Sequence, residues 1–132
     1  VNAKALKRLA NKNFDHDEQH DSHEFMRHML SCIQDETNTN AVKCKKEMNF
    51  PNADAAWSFY MKHHTSCVDK TFAGQIESQV FCKSCGGIST TYDPILDLSL
   101  PLSSNSDRLE DCISSFFKEE ILPDTYRCEK CK

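Results

Sequence analysis

Cys82-Lys83-Ser84-Cys85-Gly86-Gly87 and, later in the chain, Cys128-Glu129-Lys130-Cys131 are two short cysteine pairs around which the sequence is organised. In a CxxC pair, one tight turn lets two thiolates reach the same ion, and a tetrahedral Zn²⁺ site requires four such ligands. Gly86 and Gly87 follow the first pair, where a metal-binding turn needs a positive φ and a close approach of backbone amides to sulfur. The doubled motif therefore predicts one zinc ion that is bound by Cys82, Cys85, Cys128 and Cys131.

The spacing of the two pairs leaves an alternative. The 42 residues between Cys85 and Cys128 exceed the spacing of a self-contained zinc ribbon, so a shared metal would join distant parts of a larger fold. The alternative is two unrelated pairs, one of them redox-active. A thioredoxin-like CxxC opens a helix after a buried strand, whereas the first pair lies between two strand-like runs. The doubling of the motif favours the shared zinc site.

Composition limits the class of protein. A chain of 132 residues is long enough for one modest domain. The formal net charge is −4 and no basic run is interleaved with aromatic residues, which disfavours a nucleic-acid partner. No apolar run has the length of a membrane span, and no secretory signal opens the chain. Eight cysteines without such a signal favour reduced thiols plus zinc in an intracellular protein, cytoplasmic or nuclear.

The strongest helical pattern begins in the acidic stretch. Asp21-Ser22-His23-Glu24 matches a capping box, with Asp21 as N-cap and Glu24 reaching back to its backbone. The helix is expected to end near residues 37–40, where Thr and Asn favour local side-chain bonds. Its apolar stripe consists of Phe25, Met26, Met29, Leu30 and Ile33, with Cys32 beside it. Phe14 is expected to anchor the preceding polar stretch onto this helix.

Three further helices are predicted from apolar residues at helical spacing. A short one covers residues 3–10, and a second runs from about Asp54 to His64. The third is capped by Asp107, and its stripe is formed by Leu109, Cys112, Ile113, Phe116 and Phe117.

Alternating residues predict a β-hairpin between these helices. Residues 76–82 and 88–92 have the period of two that is typical of strands, so the Cys82–Gly87 turn would join them. Pro94 is expected to break or bulge the pairing. Period two returns over residues 96–102, where four leucines share one face. The sequence is thus predicted to form an α+β fold.

Two catalytic motifs can be tested by spacing. A zinc protease needs histidines at i and i+4, but His23 and His28 are five apart, about 140° on the helical wheel at roughly 100° per residue. A nucleophilic cysteine needs an activating histidine and nearby oxyanion donors. All three glycines lie between residues 74 and 87, so no Gly-rich nucleophile turn exists elsewhere. Neither motif is predicted, and Cys44 and Cys67 are interpreted as inert free thiols.

The acids at the helix start have a second interpretation. Asp21 and Glu24, at i and i+3, could form a two-pronged acceptor for a guanidinium group. Alternatively, they only cap the helix and complement its dipole. The spacing alone favours capping, although the two roles are compatible.

Several motifs resemble the ubiquitin-specific protease family. Gln19-His20-Asp21-Ser22-His23-Glu24-Phe25-Met26 resembles a conserved box of that family, normally written Q-Q-D-A/S-H/Q-E-F-L/M. The family's next conserved stretch is similar to Phe72-Ala73-Gly74-Gln75, the first CxxC pair, Tyr92-Asp93-Pro94 and Asp97-Leu98-Ser99-Leu100. Residues 109–117, Glu120 and residues 126–131 resemble the segment that ends in the second zinc knuckle. The resemblance begins near Leu6 and thins over residues 38–52.

This resemblance implies a fold and a set of binding residues. The expected fold is part of a papain-like cysteine proteinase, with about residues 1–64 in a helical thumb and residues 72–132 in β-rich fingers and palm. The family grips ubiquitin and cleaves after its C-terminal glycine. Acids that match Asp21 and Glu24 hold the arginine-bearing tail of ubiquitin, and Gln19 belongs to the same box. A departure is His20, where the family often has Gln.

The resemblance also implies where the catalytic residues lie. The family's nucleophilic cysteine precedes the box that matches Gln19–Met26, and its general-base histidine follows the second knuckle. Neither of those boxes is found in these 132 residues. We therefore expect an inactive internal piece of a thiol hydrolase that binds ubiquitin, ubiquitinated proteins and one structural Zn²⁺. The alternative is a noncatalytic ubiquitin-binding scaffold protein of the same fold, and a zinc-ribbon nucleic-acid module is disfavoured by the charge.

Overall fold

The structure, a computed structural model, describes residue 14 and residues 19–39, 49–102, 108–122 and 127–131. The chain forms two compact units, Val1–Ala73 and Gly74–Lys132. The described part of the first unit is helical, and that of the second contains a two-stranded sheet, a helix and both cysteine turns. The prediction of mixed α+β structure is therefore confirmed. The helix predicted over residues 3–10 and the residue Cys44 lie outside the described residues.

The helix that follows the acidic stretch, α1, spans Ser22–Thr37. Asp21 is its N-cap and accepts a hydrogen bond from the backbone N–H of His23 at 2.7 Å. At the other end, the N–H of Asn38 donates to the carbonyl of Gln34 at 2.9 Å. The predicted cap and end are both confirmed. The predicted return bond from the Asp21 N–H to the Glu24 side chain is not formed at this helix start, and Glu24 is exposed.

Phe14 packs against α1 as predicted. Its side chain is buried, and its ring lies 5.2 Å from that of Phe25 and 5.3 Å from that of His28. The rest of the apolar stripe is less covered, with Met26 50% and Ile33 39% exposed. Among the stripe residues, the ring of Phe14 therefore packs against Phe25 and leaves Met26 and Ile33 largely uncovered.

Two more helices complete the described part of the first unit. The helix α2 spans Ala53–His63, close to its prediction, and the Asn52 side chain caps it by accepting from the N–H of Ala55 at 2.9 Å. The short helix α3, Cys67–Phe72, was not predicted. Its start is a complete capping box formed by Ser66 and Asp69.

The second unit contains the predicted hairpin. Strand β1, Gly74–Phe81, pairs antiparallel with strand β2, Ile88–Ile95, in one uninterrupted register. The prediction that Pro94 breaks or bulges the pairing is wrong, since Pro94 lies opposite Gln75 within the regular ladder. In a two-stranded sheet both strands are edges, and proline is tolerated there because an outward-facing position needs no N–H donor.

The leucine-rich segment after the hairpin does not form the predicted strand. Residues 96–102 have no regular structure, and Leu102 is 90% exposed. Within the described residues the sheet contains only β1 and β2, so this segment has no neighbouring strand to satisfy its backbone groups. Period two alone is not sufficient for a strand.

The helix α4, Leu109–Phe116, confirms the last predicted helix. Cys112 is its buried residue, whereas the rest of the stripe is at least partly exposed. Arg108 occupies the N-cap position without a side-chain cap bond, so the helix begins later than a cap at Asp107 would place it. Asp107 itself lies outside the described residues. None of the described helices combines the length and apolar character that crossing a membrane would require.

Candidate metal centre

Four sulfur atoms converge at the tip of the hairpin. The Sγ atoms of Cys82, Cys85, Cys128 and Cys131 all lie within 4.8 Å of one another. Two of these separations join the pairs, with Cys82 Sγ 3.8 Å from Cys131 Sγ and Cys85 Sγ 3.7 Å from Cys128 Sγ. The structure thus brings together all four cysteines that the sequence predicted as ligands, across a separation of more than 40 residues.

The distances between these sulfurs fit a tetrahedral metal ion. A zinc–sulfur bond is about 2.3 Å long, and the edge of a tetrahedron is about 1.63 times its centre-to-corner distance, which gives a sulfur–sulfur separation of about 3.8 Å. The two short separations agree with this value. Sulfur from four cysteines suits soft or borderline cations such as Zn²⁺ and is a poor match for Mg²⁺ or Ca²⁺. These four residues could therefore hold one metal ion.

The turn of the first pair is shaped by its backbone. The N–H of Gly86 donates to the carbonyl of Cys82 at 2.9 Å, and the N–H of Cys82 donates to the carbonyl of Gly87 at 2.8 Å. Gly86 has a φ of 69°, a conformation that a side chain would strain. The predicted need for a glycine with positive φ is thus met at Gly86, and the two bonds fold Cys85 back toward Cys82.

The backbone of each turn also favours thiolates. The pKa of Cys82 is lowered to about 6, because the N–H groups of Cys85 and Ser84 donate to its sulfur. The pKa of Cys128 is lowered by the N–H groups of Cys131 and Lys130. The pKa of Cys131 is raised to about 12 by hydrogen bonds with the neighbouring sulfurs of Cys85 and Cys82. A metal ion must displace the remaining thiol protons, so binding is expected to release protons.

The three residues predicted to bind ubiquitin lie in the first unit. Gln19, Asp21 and Glu24 are all exposed, and the latter two flank the first residues of α1. Asp21 uses Oδ1 to cap the helix, and the residue as a whole is exposed. The geometry is thus compatible with capping and with ligand binding.

A buried carboxylate in the first unit was missed by sequence reasoning. Asp69 is 1% exposed and accepts hydrogen bonds from Gln34 of α1 at 2.6 Å, from the Tyr60 hydroxyl of α2 at 2.8 Å, and from the Ser66 hydroxyl at 2.6 Å. The spacing Ser66-x-x-Asp69 is a capping-box signal and would have located this residue. We call Asp69 with Gln34, Tyr60 and Ser66 the Asp69 cluster.

Comparison with known proteins identifies relatives over most of the chain. The family described as ubiquitin carboxyl-terminal hydrolase matches residues 2–131. Ubiquitin carboxyl-terminal hydrolase Usp2 of Drosophila melanogaster is 36% identical over 124 residues, and ubiquitin carboxyl-terminal hydrolase 23 of Arabidopsis thaliana is 34% identical over 128. Ubiquitin carboxyl-terminal hydrolase 2 of Homo sapiens is 31% identical over 128 residues.

These matches cover much of this chain and little of the relatives. They include 86% of this chain for the fly and human proteins and 95% for the plant protein. They span 13% of the fly and plant proteins and 21% of the human one. The match over residues 2–131 shows that the chain belongs to the ubiquitin carboxyl-terminal hydrolase family.

Proposed function

We propose that this chain is part of the catalytic domain of a thiol hydrolase that cleaves the isopeptide bond at the C-terminal glycine of ubiquitin. The family match over nearly the whole chain supports this proposal, as do the names of the relatives. About residues 1–64 would belong to the helical thumb of a papain-like fold, and residues 72–132 to its fingers and palm. Ubiquitin and ubiquitinated proteins are the partners that follow from this reaction.

The convergence of four cysteine sulfurs is the observation that carries the structural part of the proposal. We assign these sulfurs to one structural Zn²⁺ per chain. Four protein ligands close a tetrahedral site and leave no position for water or substrate, which is typical of structural rather than catalytic zinc. The ion would fix the fingers by joining the hairpin tip to the turn at residues 128–131.

The exposed acids at the start of α1 would bind the tail of ubiquitin. Asp21 and Glu24 present carboxylates at the positive end of the helix, and a guanidinium fork can pair with two such acceptors. Gln19 adds an exposed amide just before them. Holding an arginine of the tail would fix the register of the scissile bond over a distant nucleophile, which is a proximity effect.

We expect the chain by itself to be inactive. Cys32 Sγ lies 3.6 Å from His28 Nε2, which is close enough for a thiol–imidazole pair. Both residues lie within α1, where backbone N–H groups are already used by the helix, so among the described residues the backbone around Cys32 offers no oxyanion donors. The nucleophile and the general base of the reaction would then be supplied by other segments of the parent protein.

The test is the activity of the full-length parent on a ubiquitin–fluorophore conjugate. Asp21→Ala or Glu24→Ala should lower kcat/KM by about 5- to 150-fold, which corresponds to roughly 1–3 kcal/mol for a charged hydrogen bond. Glu36→Ala, on an exposed residue near the other end of α1, is the matched control and should change little. Unchanged kinetics in the two variants would leave only the capping role for these acids.

The same assay distinguishes a catalytic parent protein from a noncatalytic one. A parent protein that binds ubiquitin but does not hydrolyse the conjugate would contradict the catalytic proposal. That result would support a noncatalytic ubiquitin-binding scaffold protein with the same fold.

A further inference from the structure

Gly87 is buried beside the four sulfurs, and its role differs from that of Gly86. Its φ is not in the left-handed region, so its backbone conformation alone does not require glycine. The space around its Cα is limited by the Lys130 side chain and the Cys85 sulfur. A Cβ at this position would lie 2.9 Å from Cδ of Lys130 and 3.2 Å from Sγ of Cys85, both inside normal van der Waals contact.

Lys130 is exposed, but the stem of its side chain lies close to Gly87. It lies between Cys128 and Cys131 in the second cysteine turn, and its aliphatic stem rests on Gly87 of the first turn. A residue that lies between two predicted ligands of its own turn thus contacts the opposite turn through its side chain.

We propose that the stem of Lys130 and the bare backbone of Gly87 form the contact that sets the two cysteine turns at the distance a tetrahedral metal requires; this inference rests on the metal site of the proposed function. Lys130 and Gly87 are positioning residues and not ligands. A closed contact between the turns preorganises the four sulfurs, so less free energy is spent on ordering them when the metal binds.

The contact makes the stem of Lys130, rather than its charge, the important feature. Methionine has an unbranched apolar side chain of similar length, whereas alanine removes the stem. Lys130→Met should therefore keep the packing on Gly87, and Lys130→Ala should lose it. Glu129 is exposed and adjacent in the same turn, and Glu129→Ala is the matched control.

The test is a titration of the 132-residue chain with Co²⁺ against a competing chelator, read from the thiolate-to-metal absorption bands. Lys130→Ala and Gly87→Ala should each weaken Co²⁺ binding by about tenfold, the lower end of the effect of residues that support metal ligands. Lys130→Met and Glu129→Ala should stay within about threefold of wild type. Because Gly87→Ala acts by displacing the stem that Lys130→Ala removes, it should add little in a chain that already lacks the stem, and the double variant should lose about tenfold and not the hundredfold product.

The Co²⁺ titrations test the metal site and the contact between Lys130 and Gly87 separately. A wild-type chain that binds no Co²⁺ overturns both the metal site and this inference. A wild-type chain that binds Co²⁺ while Lys130→Ala behaves like Glu129→Ala overturns the inference alone. It is also overturned if Lys130→Met weakens binding as much as Lys130→Ala, or if the losses of the double variant multiply.

Discussion

Each of the two units of this chain has its own kind of internal interaction that joins its elements. In the first unit, the buried carboxylate of Asp69 ties three helices together through hydrogen bonds from Gln34, Tyr60 and Ser66. In the second unit, Cys112 is the buried apolar residue among those described, and the four sulfurs join the hairpin tip to the last turn. If the four sulfurs hold the proposed ion, the first unit should keep its order without the metal and the second should depend on it.

Removing the metal should produce the largest effect, and only in the second unit. Structural zinc contributes about 10–16 kcal/mol of apparent binding free energy in small zinc peptides at neutral pH. Chelation of the zinc-loaded chain, or Cys128→Ser, should therefore abolish amide-exchange protection in the Cys82–Gly87 turn and in residues 128–131. Protection of α1 and α2 should be retained.

Hydrogen exchange followed by mass spectrometry measures both units in one sample. Cys67→Ser is the matched control, since Cys67 is exposed and lies outside the sulfur cluster. Equal loss of protection in the two units would show that the first unit is not independent of the metal.

The reciprocal change is Asp69→Asn. An amide at this position cannot accept all the hydrogen bonds that the carboxylate accepts, and hydrogen bonds to a charged group contribute about 1.5–3 kcal/mol each without strict additivity. We expect the first unit to lose about 3 kcal/mol of unfolding free energy. Trp57, the single tryptophan, lies in α2 and reports the urea transition of this unit by fluorescence.

The control for that variant is Asp54→Asn, an exposed acid in the first turn of α2. The shift of its urea midpoint should be only a few tenths of the shift that Asp69→Asn produces. Zinc content should be unchanged in both variants. An Asp69→Asn chain with a wild-type midpoint would show that the Asp69 cluster does not hold the helices together.

Acid should weaken the first unit through the same carboxylate. Burial raises the pKa of Asp69, but hydrogen bonds from Ser66, Tyr60 and Gln34 outweigh it and hold the pKa below its ordinary value. A lowered folded-state pKa stabilises the protein above the unfolded carboxyl value of about 3.9, and that stability is lost as pH falls through the folded-state value. The urea concentration at the midpoint of the transition, read from Trp57, should thus decrease as the pH is lowered below about 4.

The Asp69→Asn variant provides the comparison for this pH dependence. Without the titrating carboxyl, its midpoint should decline less steeply over the same acid range. Parallel declines in the wild type and the variant would assign the acid sensitivity to other carboxylates.

The smallest expected effect concerns Tyr60. Tyr60→Phe removes one donor to Asp69 while keeping a ring to stack on His64, at a centroid distance of 4.2 Å, so we expect a loss of about 1 kcal/mol. Burial, followed by the hydrogen bond and charge of Asp69, raises the pKa of Tyr60. Stability should therefore fall as pH rises above the ordinary phenol value of about 10, and the fall should be smaller in the Phe variant. Identical alkaline transitions would contradict this role.

Local signals in the sequence predicted the elements that depend on neighbouring residues. The cap at Asp21, the helix that follows it, α2 and the hairpin are each set by residues within one or two turns. The cysteine pairs carried long-range information because the doubled CxxC motif supplies the four ligands of one tetrahedral metal, despite the wide separation of the pairs. The same kind of signal was present at Ser66-x-x-Asp69 but was overlooked.

The remaining errors arose where tertiary context decides. The leucine alternation over residues 96–102 favoured a strand, but among the described residues no third strand pairs with the sheet. Pro94 is tolerated because, within the described part of the chain, its strand is an edge, which the sequence did not reveal. The contact of Lys130 with Gly87 joins positions more than 40 residues apart, and no local pattern predicts it.

The most direct test of a shared metal is zinc K-edge X-ray absorption of the purified, reduced, zinc-loaded chain. The structure predicts one zinc per chain with a first shell of four sulfurs at about 2.3 Å. A first shell that contains oxygen or nitrogen neighbours with only two sulfurs would show that the cysteine pairs do not share an ion, and would contradict the joining of the hairpin tip to the last turn.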